Sequence, residues 1–172
     1  MTTDETQFAV RKMATPIGTI RLVAVEEGLV GVRFANDQSR IADGLTIRAA
    51  QKHLDQTEKA LAEYFAGKRK TFTELPVMAK GTSFQLKVWG ALFKIPFGVT
   101  QSYADVAQAI GNPKAMRAVG LANGRNPVPI IIPCHRVIGA NGTLTGYAGG
   151  LDKKAWLLEL EGSASRLRQS TS

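Results

Sequence analysis

The residues most able to do chemistry cluster around the only cysteine of the chain, Cys134. A thiol is a strong nucleophile only after it loses its proton, and a free thiol with a pKa of about 8.5 is little ionised at neutral pH. His135 and Arg136 follow directly, and a nearby base and positive charge would raise the thiolate fraction. The segment therefore predicts a cysteine nucleophile, against the alternative of a small buried apolar residue.

Glu161, near the end of the last predicted helix, is the candidate to orient His135 in a Cys-His-Glu arrangement. Pro133 fixes the backbone just before the thiol, and Pro129 stiffens the approach to it. If the segment is extended, neighbouring side chains point to opposite faces, so His135 would reach the sulfur through a water or a bend. Each partner also has a purely structural interpretation, as a core histidine, a solvated glutamate or a salt-bridged arginine.

Short helices are predicted to position this segment. Capping residues and apolar spacing put them at residues 84–93, Tyr103–Ile110, Lys114–Ala122 and about Lys153–Glu161. The second and third, joined by a tight turn at Gly111, form a candidate helix-turn-helix. The third offers mainly small residues, which favour close approach to a narrow minor groove over base reading in the major groove. A core-packing helix is the alternative interpretation.

The first half of the chain predicts a small antiparallel meander, with strands at Phe8–Met13, Thr19–Val25 and Leu29–Phe34. A helix is predicted over residues 49–66, and Phe72–Leu75 is predicted as one more strand. The fold class is therefore α+β. We expect an N-terminal α/β domain over residues 1–78, a C-terminal domain over 79–162 and a flexible tail over 163–172.

The charge of the chain is uneven. Its net charge is +8, of which residues 1–81 carry +2 and residues 82–172 carry +6. A basic half of this kind favours nucleic acid as a partner, although a merely basic surface is an equal alternative. A lone cysteine excludes an internal disulfide. No apolar run is long enough for a membrane span and no secretory signal precedes the strands, so we expect a cytoplasmic protein without a membrane partner.

The sequence Pro133-Cys134-His135-Arg136-Val137 closely resembles the O6-alkylguanine-DNA alkyltransferase family. The resemblance extends from about Thr82 to Gly162, and the N-terminal half fits the family only in outline. The further matching segments are Ser102–Tyr103, Gly111–Ala115, Arg117–Gly120, Asn126–Pro129, Gly139, Tyr147–Leu151 and Trp156–Leu158.

The resemblance implies an N-terminal ribonuclease-H-like domain and a winged-helix-like C-terminal domain that repairs double-stranded DNA by direct reversal. It implies that Cys134 irreversibly accepts the alkyl group of a flipped O6-alkylguanine, or of O4-alkylthymine, in a single turnover. His135 would act as a water-mediated base and Glu161 would align it. Asn126 would support the active-site turn. Tyr103 would help rotate the nucleotide out and would protonate the departing purine.

The resemblance also implies two contact surfaces. The guanine pocket would be lined by Asn126, Val137, Tyr147, Ala148 and Gly149. Arg117 would fill the gap that the flipped base leaves in the stack. The DNA-binding set would comprise Lys114, Ala115, Arg117, Ala118, Gly120 and Arg136.

Neither a cofactor nor a metal is expected. Some relatives hold a structural zinc in the N-terminal domain, but this chain has one cysteine and only two histidines, His53 and His135. Ala148 stands where some members carry a hydroxyl, which bears on tolerance for bulky adducts. We expect a monomer and leave cooperative binding to DNA open.

Three alternatives compete with repair. A binding-only relative would sense alkylated DNA, but such proteins lack the reactive cysteine. A Cys-His-Glu hydrolase would need only Cys134, His135 and Glu161, and would leave the small-residue helix and the basic half unexplained. A helix-turn-helix regulator would bind undamaged DNA in a sequence-specific way.

Overall fold

The computed structural model describes residues 7–163. The chain divides into two compact units, Met1–Ala79 and Lys80–Ser172. Within the described part, no helix is long and apolar enough to cross a membrane. The predicted tail lies outside the described residues except for Ser163, which is buried.

The N-terminal unit contains a three-stranded antiparallel sheet and one helix. The strands β1 (Ala9–Met13), β2 (Ile20–Val25) and β3 (Gly28–Arg33) pair in the order β1-β2-β3, which confirms the predicted meander. Helix α1 (Arg48–Phe65) packs against all three strands. Residues three or four apart on its inner face are buried because that spacing places them on one side of a helix. They are Ala50, Leu54, Thr57, Leu61 and Tyr64.

The predicted strand at Phe72–Leu75 is wrong. This segment is a turn, in which the Leu75 N–H donates to the Phe72 carbonyl at 3.1 Å. Phe72 and Leu75 are both buried while Thr73 and Glu74 are exposed, a spacing of three that a strand with alternating side chains does not produce. Val77 instead forms an isolated parallel bridge with Leu29 of β3.

The C-terminal unit is mainly helical, and its capping residues set the helix starts. Helix α2 (Ser83–Phe93) and helix α3 (Tyr103–Ala109) both begin with a capping box, from Thr82 and Gln85 in α2 and from Ser102 and Asp105 in α3. The unit also holds helix α4 (Met116–Gly124), helix α5 (Leu151–Leu160) and two parallel two-residue strands, β4 (Gln101–Ser102) and β5 (Val137–Ile138). Together the units confirm the α+β class.

The candidate helix-turn-helix consists of α3 and α4, which pack against each other and against α2. Gly111 ends the first helix with a φ of +76°, a left-handed conformation that glycine adopts without strain. Helix α4 begins two residues later than predicted. The chain makes a further turn first, in which the Ala115 N–H donates to the Asn112 carbonyl, and Ala115 has non-helical backbone angles.

Candidate active site

Cys134 lies in a tight turn that a rigid preceding loop holds in place. Cys134–Arg136 form a single 3-10 turn, and the Arg136 N–H donates to the Pro133 carbonyl at 3.0 Å. These three residues are therefore not extended, and the chain bends here, so that their side chains point in directions about 120° apart. Ile130, which precedes the turn, has a φ of +74°. Among the non-glycine residues that the structure describes, it alone has a positive φ.

Asn126 braces this loop from within. Its side-chain Nδ2 donates to the Ile132 carbonyl at 2.7 Å, and its Oδ1 accepts the Val128 N–H at 3.0 Å. Both bonds are buried, so the loop that leads to Cys134 is closed by a side chain rather than by solvent. The structure thus brings Asn126 to the turn that the sequence expected it to support.

The thiol of Cys134 is almost fully enclosed, with 5% of the residue exposed. Burial raises its pKa, because the charged thiolate loses solvation. A hydrogen bond with the Asn126 side chain and the positive charge of Lys154 oppose that rise. Asn126 and Lys154 therefore favour the thiolate, although burial has the larger effect on the pKa of Cys134.

The carboxylate of Glu161 joins His135 to Arg136. His135 Nε2 lies 2.8 Å from Glu161 Oε2, and Arg136 donates through Nε to Oε1 at 2.7 Å and through Nη2 to Oε2 at 3.0 Å. Burial raises the pKa of Glu161, but the hydrogen bonds from His135 and Arg136 outweigh it and lower the pKa to about 2. Glu161, the C-cap residue of α5, is therefore ionised at neutral pH.

His135 is neutral at neutral pH because burial lowers its pKa more than Glu161 raises it. Since Nε2 faces a carboxylate, this nitrogen carries the proton, and Nδ1 is left as an acceptor. Nδ1 is buried and has no hydrogen-bond partner among the described residues. The imidazole can therefore take a proton on the side away from Glu161.

Arg136 does not belong to a DNA-binding surface, and that prediction is wrong. Its side chain is 6% exposed, Nη1 donates to the Ile95 carbonyl at 2.6 Å and the guanidinium lies 5.9 Å from the ring centre of Phe97. Its charge is compensated by Glu161, so it is not the cation that promotes thiol ionisation.

Tyr103, the first residue of α3, shares a hydrogen bond of 2.5 Å between its hydroxyl and Thr145 Oγ1. Its ring also lies against Gly120 of α4, where an added Cβ would be 3.8 Å from the ring. The sequence placed Gly120 in the DNA-binding set, whereas in the structure it is half-buried and lies behind the Tyr103 ring.

The rest of the predicted DNA-binding set lies on the turn that precedes α4, at Lys114 and Ala115, and in the first turn of α4, at Arg117 and Ala118. Lys114, Arg117 and Ala118 are exposed, Ala115 is half-buried, and Leu121 on the same face is 68% exposed. A surface with small and apolar residues between two cations offers little to major-groove base edges and permits close approach to a backbone.

The predicted pocket residues are only partly brought together. Val137 is fully buried, so its side chain supports the site rather than lining a surface. Tyr147 is half-buried, Ala148 is exposed and Gly149 is buried. A neighbouring open groove of about 510 Å³ is lined by Thr100, Gln101, Ser102, Asp105 and residues 138–142, and not by residues 147–149.

Sequence reasoning missed two buried polar residues, Lys154 and Asn123. Lys154 of α5 is 0% exposed, and its Nζ donates to the carbonyls of Val137 at 2.7 Å and Thr145 at 2.8 Å. Asn123 Nδ2 donates to the Cys134 carbonyl at 3.4 Å. Lys154 was detectable, because it precedes the buried Leu157 and Leu158 by three and four positions and so lies on the apolar face.

Within residues 7–163, no group of three or more His, Cys, Asp or Glu side chains is arranged to hold a metal ion.

Both halves of the chain match known protein domains. Residues 83–163 match the DNA-binding domain of 6-O-methylguanine DNA methyltransferase, and residues 10–79 match the ribonuclease-like domain of 6-O-methylguanine DNA methyltransferase. These matches confirm the predicted pairing of a ribonuclease-like domain with a helical one.

Individual relatives are similar over nearly the whole chain. A methylated-DNA–protein-cysteine methyltransferase of Methanosarcina acetivorans is 51% identical over 87% of this chain and 95% of its own length. The constitutive methylated-DNA–protein-cysteine methyltransferase of Bacillus subtilis is 48% identical over 86% and 91%. The crystal structure of Mycobacterium tuberculosis OGT in complex with DNA has a TM-score of 0.81 at 42% identity, covering 94% of this chain and 96% of that one.

Proposed function

Since the chain belongs to the 6-O-methylguanine DNA methyltransferase family, we propose that it strips the alkyl group from the O6 atom of guanine in duplex DNA and keeps it on Cys134. The protein repairs DNA by direct reversal, through alkyl transfer to a cysteine. Cys134 is the acceptor because the sequence contains no other cysteine. The observation that carries the assignment is the His135–Glu161 hydrogen bond of 2.8 Å beside this thiol.

The first step is the loss of the thiol proton. His135 is neutral and its Nδ1 lacks a partner among the described residues, so it accepts the Cys134 proton through a bridging water. Glu161 stabilises the imidazolium that forms, because its carboxylate holds Nε2–H. The sulfur is left with the electron pair that attacks carbon.

The second step is the transfer itself. The sulfur forms a bond to the alkyl carbon while the carbon–O6 bond breaks, and that electron pair leaves with the guanine. Tyr103 protonates the purine anion as it departs and regains a proton from solvent, and His135 releases the proton of the thiol to solvent, so the protons balance. The products are guanine and a thioether at Cys134. A thioether has no thiolate and undergoes no thiol–disulfide exchange, so each chain acts once.

The acceptor is buried, so the damaged base must leave the duplex to reach it. Flipping costs about a few kcal/mol and costs least for a base whose pairing is already impaired. The exposed face of α4 supports a minor-groove approach, with Arg117 in the gap left in the stack and with Lys114 on a phosphate. Tyr103, which lies against α4 at Gly120, would crowd the phosphate of the rotated nucleotide.

The pocket roles of Tyr147, Ala148 and Gly149 stay predictions, as does activity on O4-alkylthymine. We also propose that the protein prefers alkylated over normal guanine, acts as a monomer and is cytoplasmic.

The test is repair of a duplex with one O6-methylguanine by the wild-type chain and by Cys134→Ser. Wild type is expected to restore guanine and to gain one methyl group on the peptide that contains residue 134, whereas Cys134→Ser restores none. Tight lesion binding without methylation would indicate a binding-only relative. Repeated hydrolysis of a small ester with an unmodified thiol would indicate a hydrolase, and sequence-specific binding to undamaged DNA would indicate a regulator.

A further inference from the structure

Lys154 is a fully buried lysine to which neither the acceptor role of Cys134 nor the His135–Glu161 pair assigns a task. A lysine rarely enters a protein interior without an opposite charge, because removing an ammonium group from water is costly. No carboxylate lies within salt-bridge distance of its Nζ among the described residues. Two neutral carbonyls hold it instead.

Both carbonyls belong to the walls of the active site. Val137 closes the acceptor turn, because its N–H donates to the Cys134 carbonyl. Thr145 holds the Tyr103 hydroxyl at 2.5 Å. One ammonium group therefore ties the strand that leaves the nucleophile to the loop that holds Tyr103. Helix α5, which carries Lys154, also packs against the turn of Cys134.

The other cation close to the turn is already compensated. Arg136 donates three hydrogen bonds to Glu161 and Ile95, one from each nitrogen of its guanidinium group, and the Glu161 carboxylate compensates its charge. His135 is neutral. The charge of Lys154 remains, and the group whose ionisation would complement it is the Cys134 thiol.

Resting on the alkyl-acceptor role of Cys134, we propose that Lys154 is a positioning residue whose buried ammonium group stabilises the Cys134 thiolate while it fixes the Val137 and Thr145 segments. The interaction is mutual. Burial lowers the pKa of Lys154 to about 8, and the thiolate opposes that fall. In return, the lysine charge opposes the rise that burial imposes on the pKa of Cys134.

Three other titratable groups, His135, Arg136 and Glu161, lie near Lys154 and Cys134. The charge of Lys154 also lowers the pKa of His135, which keeps the imidazole neutral and able to accept the thiol proton. Glu161 and Arg136 face each other. The benefit of Lys154 should therefore be present below about pH 8 and be lost as the pH rises through the pKa of Lys154.

The lone cysteine permits a direct measurement. Protein grown with 13Cβ-labelled cysteine gives one signal, whose chemical shift follows ionisation of Cys134 without any DNA. Lys154→Met removes the charge and keeps most of the length, Lys154→Arg keeps the charge, and Lys153→Met on the same helix is the matched control. Urea unfolding of each variant establishes that it is folded.

We expect Lys154→Met to hold about tenfold less thiolate than wild type at a given pH below 8. A nearby opposite charge shifts a pKa by about one or more, and a shift of about one changes the ionised fraction tenfold. Below pH 8, Lys154→Arg and Lys153→Met should both titrate close to wild type, since the charge at position 154 is present in each. The methyl-transfer rate at saturating lesion DNA should fall about tenfold in Lys154→Met at pH 7 and approach wild type above pH 8, with unchanged DNA affinity.

Identical thiol titration in wild type and Lys154→Met would overturn the proposal, even if transfer slowed. If Lys154→Met does not fold, Lys154→Gln replaces it, because it keeps a donor for one carbonyl and loses the charge. A wild-type chain that takes no methyl group from DNA would overturn the alkyl-acceptor function, whereas the thiol titration would still decide the electrostatic role of Lys154.

Discussion

Glu161→Gln removes the charge at the centre of the buried cluster while it keeps the size of the side chain. In the native chain this carboxylate accepts hydrogen bonds from His135 and Arg136 and is completely enclosed. Glutamine offers one acceptor oxygen in place of two. The Arg136 guanidinium is then left in the interior with the Ile95 carbonyl and the face of Phe97.

The loss in the free energy of unfolding that Glu161→Gln should cause follows from the pKa of Glu161 and from the usual cost of breaking a buried ion pair. The pKa of Glu161 falls from 4.5 to about 2, and at about 1.4 kcal/mol for each pH unit this corresponds to about 3 kcal/mol of stability at neutral pH. Breaking a buried ion pair by removing one partner costs about 3–5 kcal/mol. We therefore expect Glu161→Gln to lose about 3 kcal/mol in the free energy of unfolding of the C-terminal unit.

The assay is urea unfolding followed by tryptophan fluorescence. The two tryptophans of the sequence, Trp89 and Trp156, both lie in the C-terminal unit, so the signal reports on the unit that contains Glu161. With a slope of about 1–3 kcal/mol per molar urea, the midpoint should fall by about 1–3 M.

Arg136→Met and the double variant complete a cycle. Once Glu161 is already glutamine, removing the guanidinium no longer breaks an ion pair, so the double variant should lose less than the two single losses together, by at least about 1 kcal/mol. Additive losses, or an unchanged midpoint in Glu161→Gln, would refute the account of this cluster.

Two further predictions concern acid and DNA. Because the folded pKa values of His135 and Glu161 are both lowered, the unfolded chain binds more protons, so wild-type stability should fall from about pH 6.5 downward and fall further below pH 4.5. Glu161→Gln should show a smaller fall below pH 4.5, with Asp37 and Glu74 still contributing because their pKa values are also lowered, and identical acid profiles would contradict this. Arg117→Ala should slow repair of duplex DNA more than alkyl transfer from a free modified base. Arg125→Ala, at the exposed C-cap of the same helix, is the control, and equal slowing of Arg117→Ala on both substrates would rule out a role in the base stack.

Patterns of neighbouring residues were sufficient for most of the fold. Capping boxes at Thr82 and Ser102 set helix starts, and β-branched residues between turns set the meander. The error at Phe72–Leu75 arose because a short apolar segment suits a strand or a buried turn, and only the spacing of its buried residues separates the two. The late start of α4 depended on the backbone angles of Ala115, which sequence spacing does not fix.

The sequence predicted those site residues that are neighbours along the chain. It predicted less well those whose contacts are distant in sequence. Cys134 and His135 are adjacent, and Glu161 was predictable because an imidazole that serves a nucleophile is commonly oriented by a carboxylate. Arg136 was misassigned because its burial depends on Ile95, 41 positions away. Lys154 was missed because a lysine beside Lys153 looks solvated, although its spacing to Leu157 and Leu158 places it on the apolar face of the helix.

We expect one chain to repair one lesion and to end as a thioether at Cys134. Intact-protein mass spectrometry after incubation with a tenfold excess of duplex carrying O6-methylguanine tests it most directly, alongside a count of the guanines restored. We predict a plateau of one guanine restored for each chain, with every chain heavier by one methyl group at residue 134. Continued repair beyond one lesion for each chain, or restored guanine with an unmodified Cys134, would contradict it.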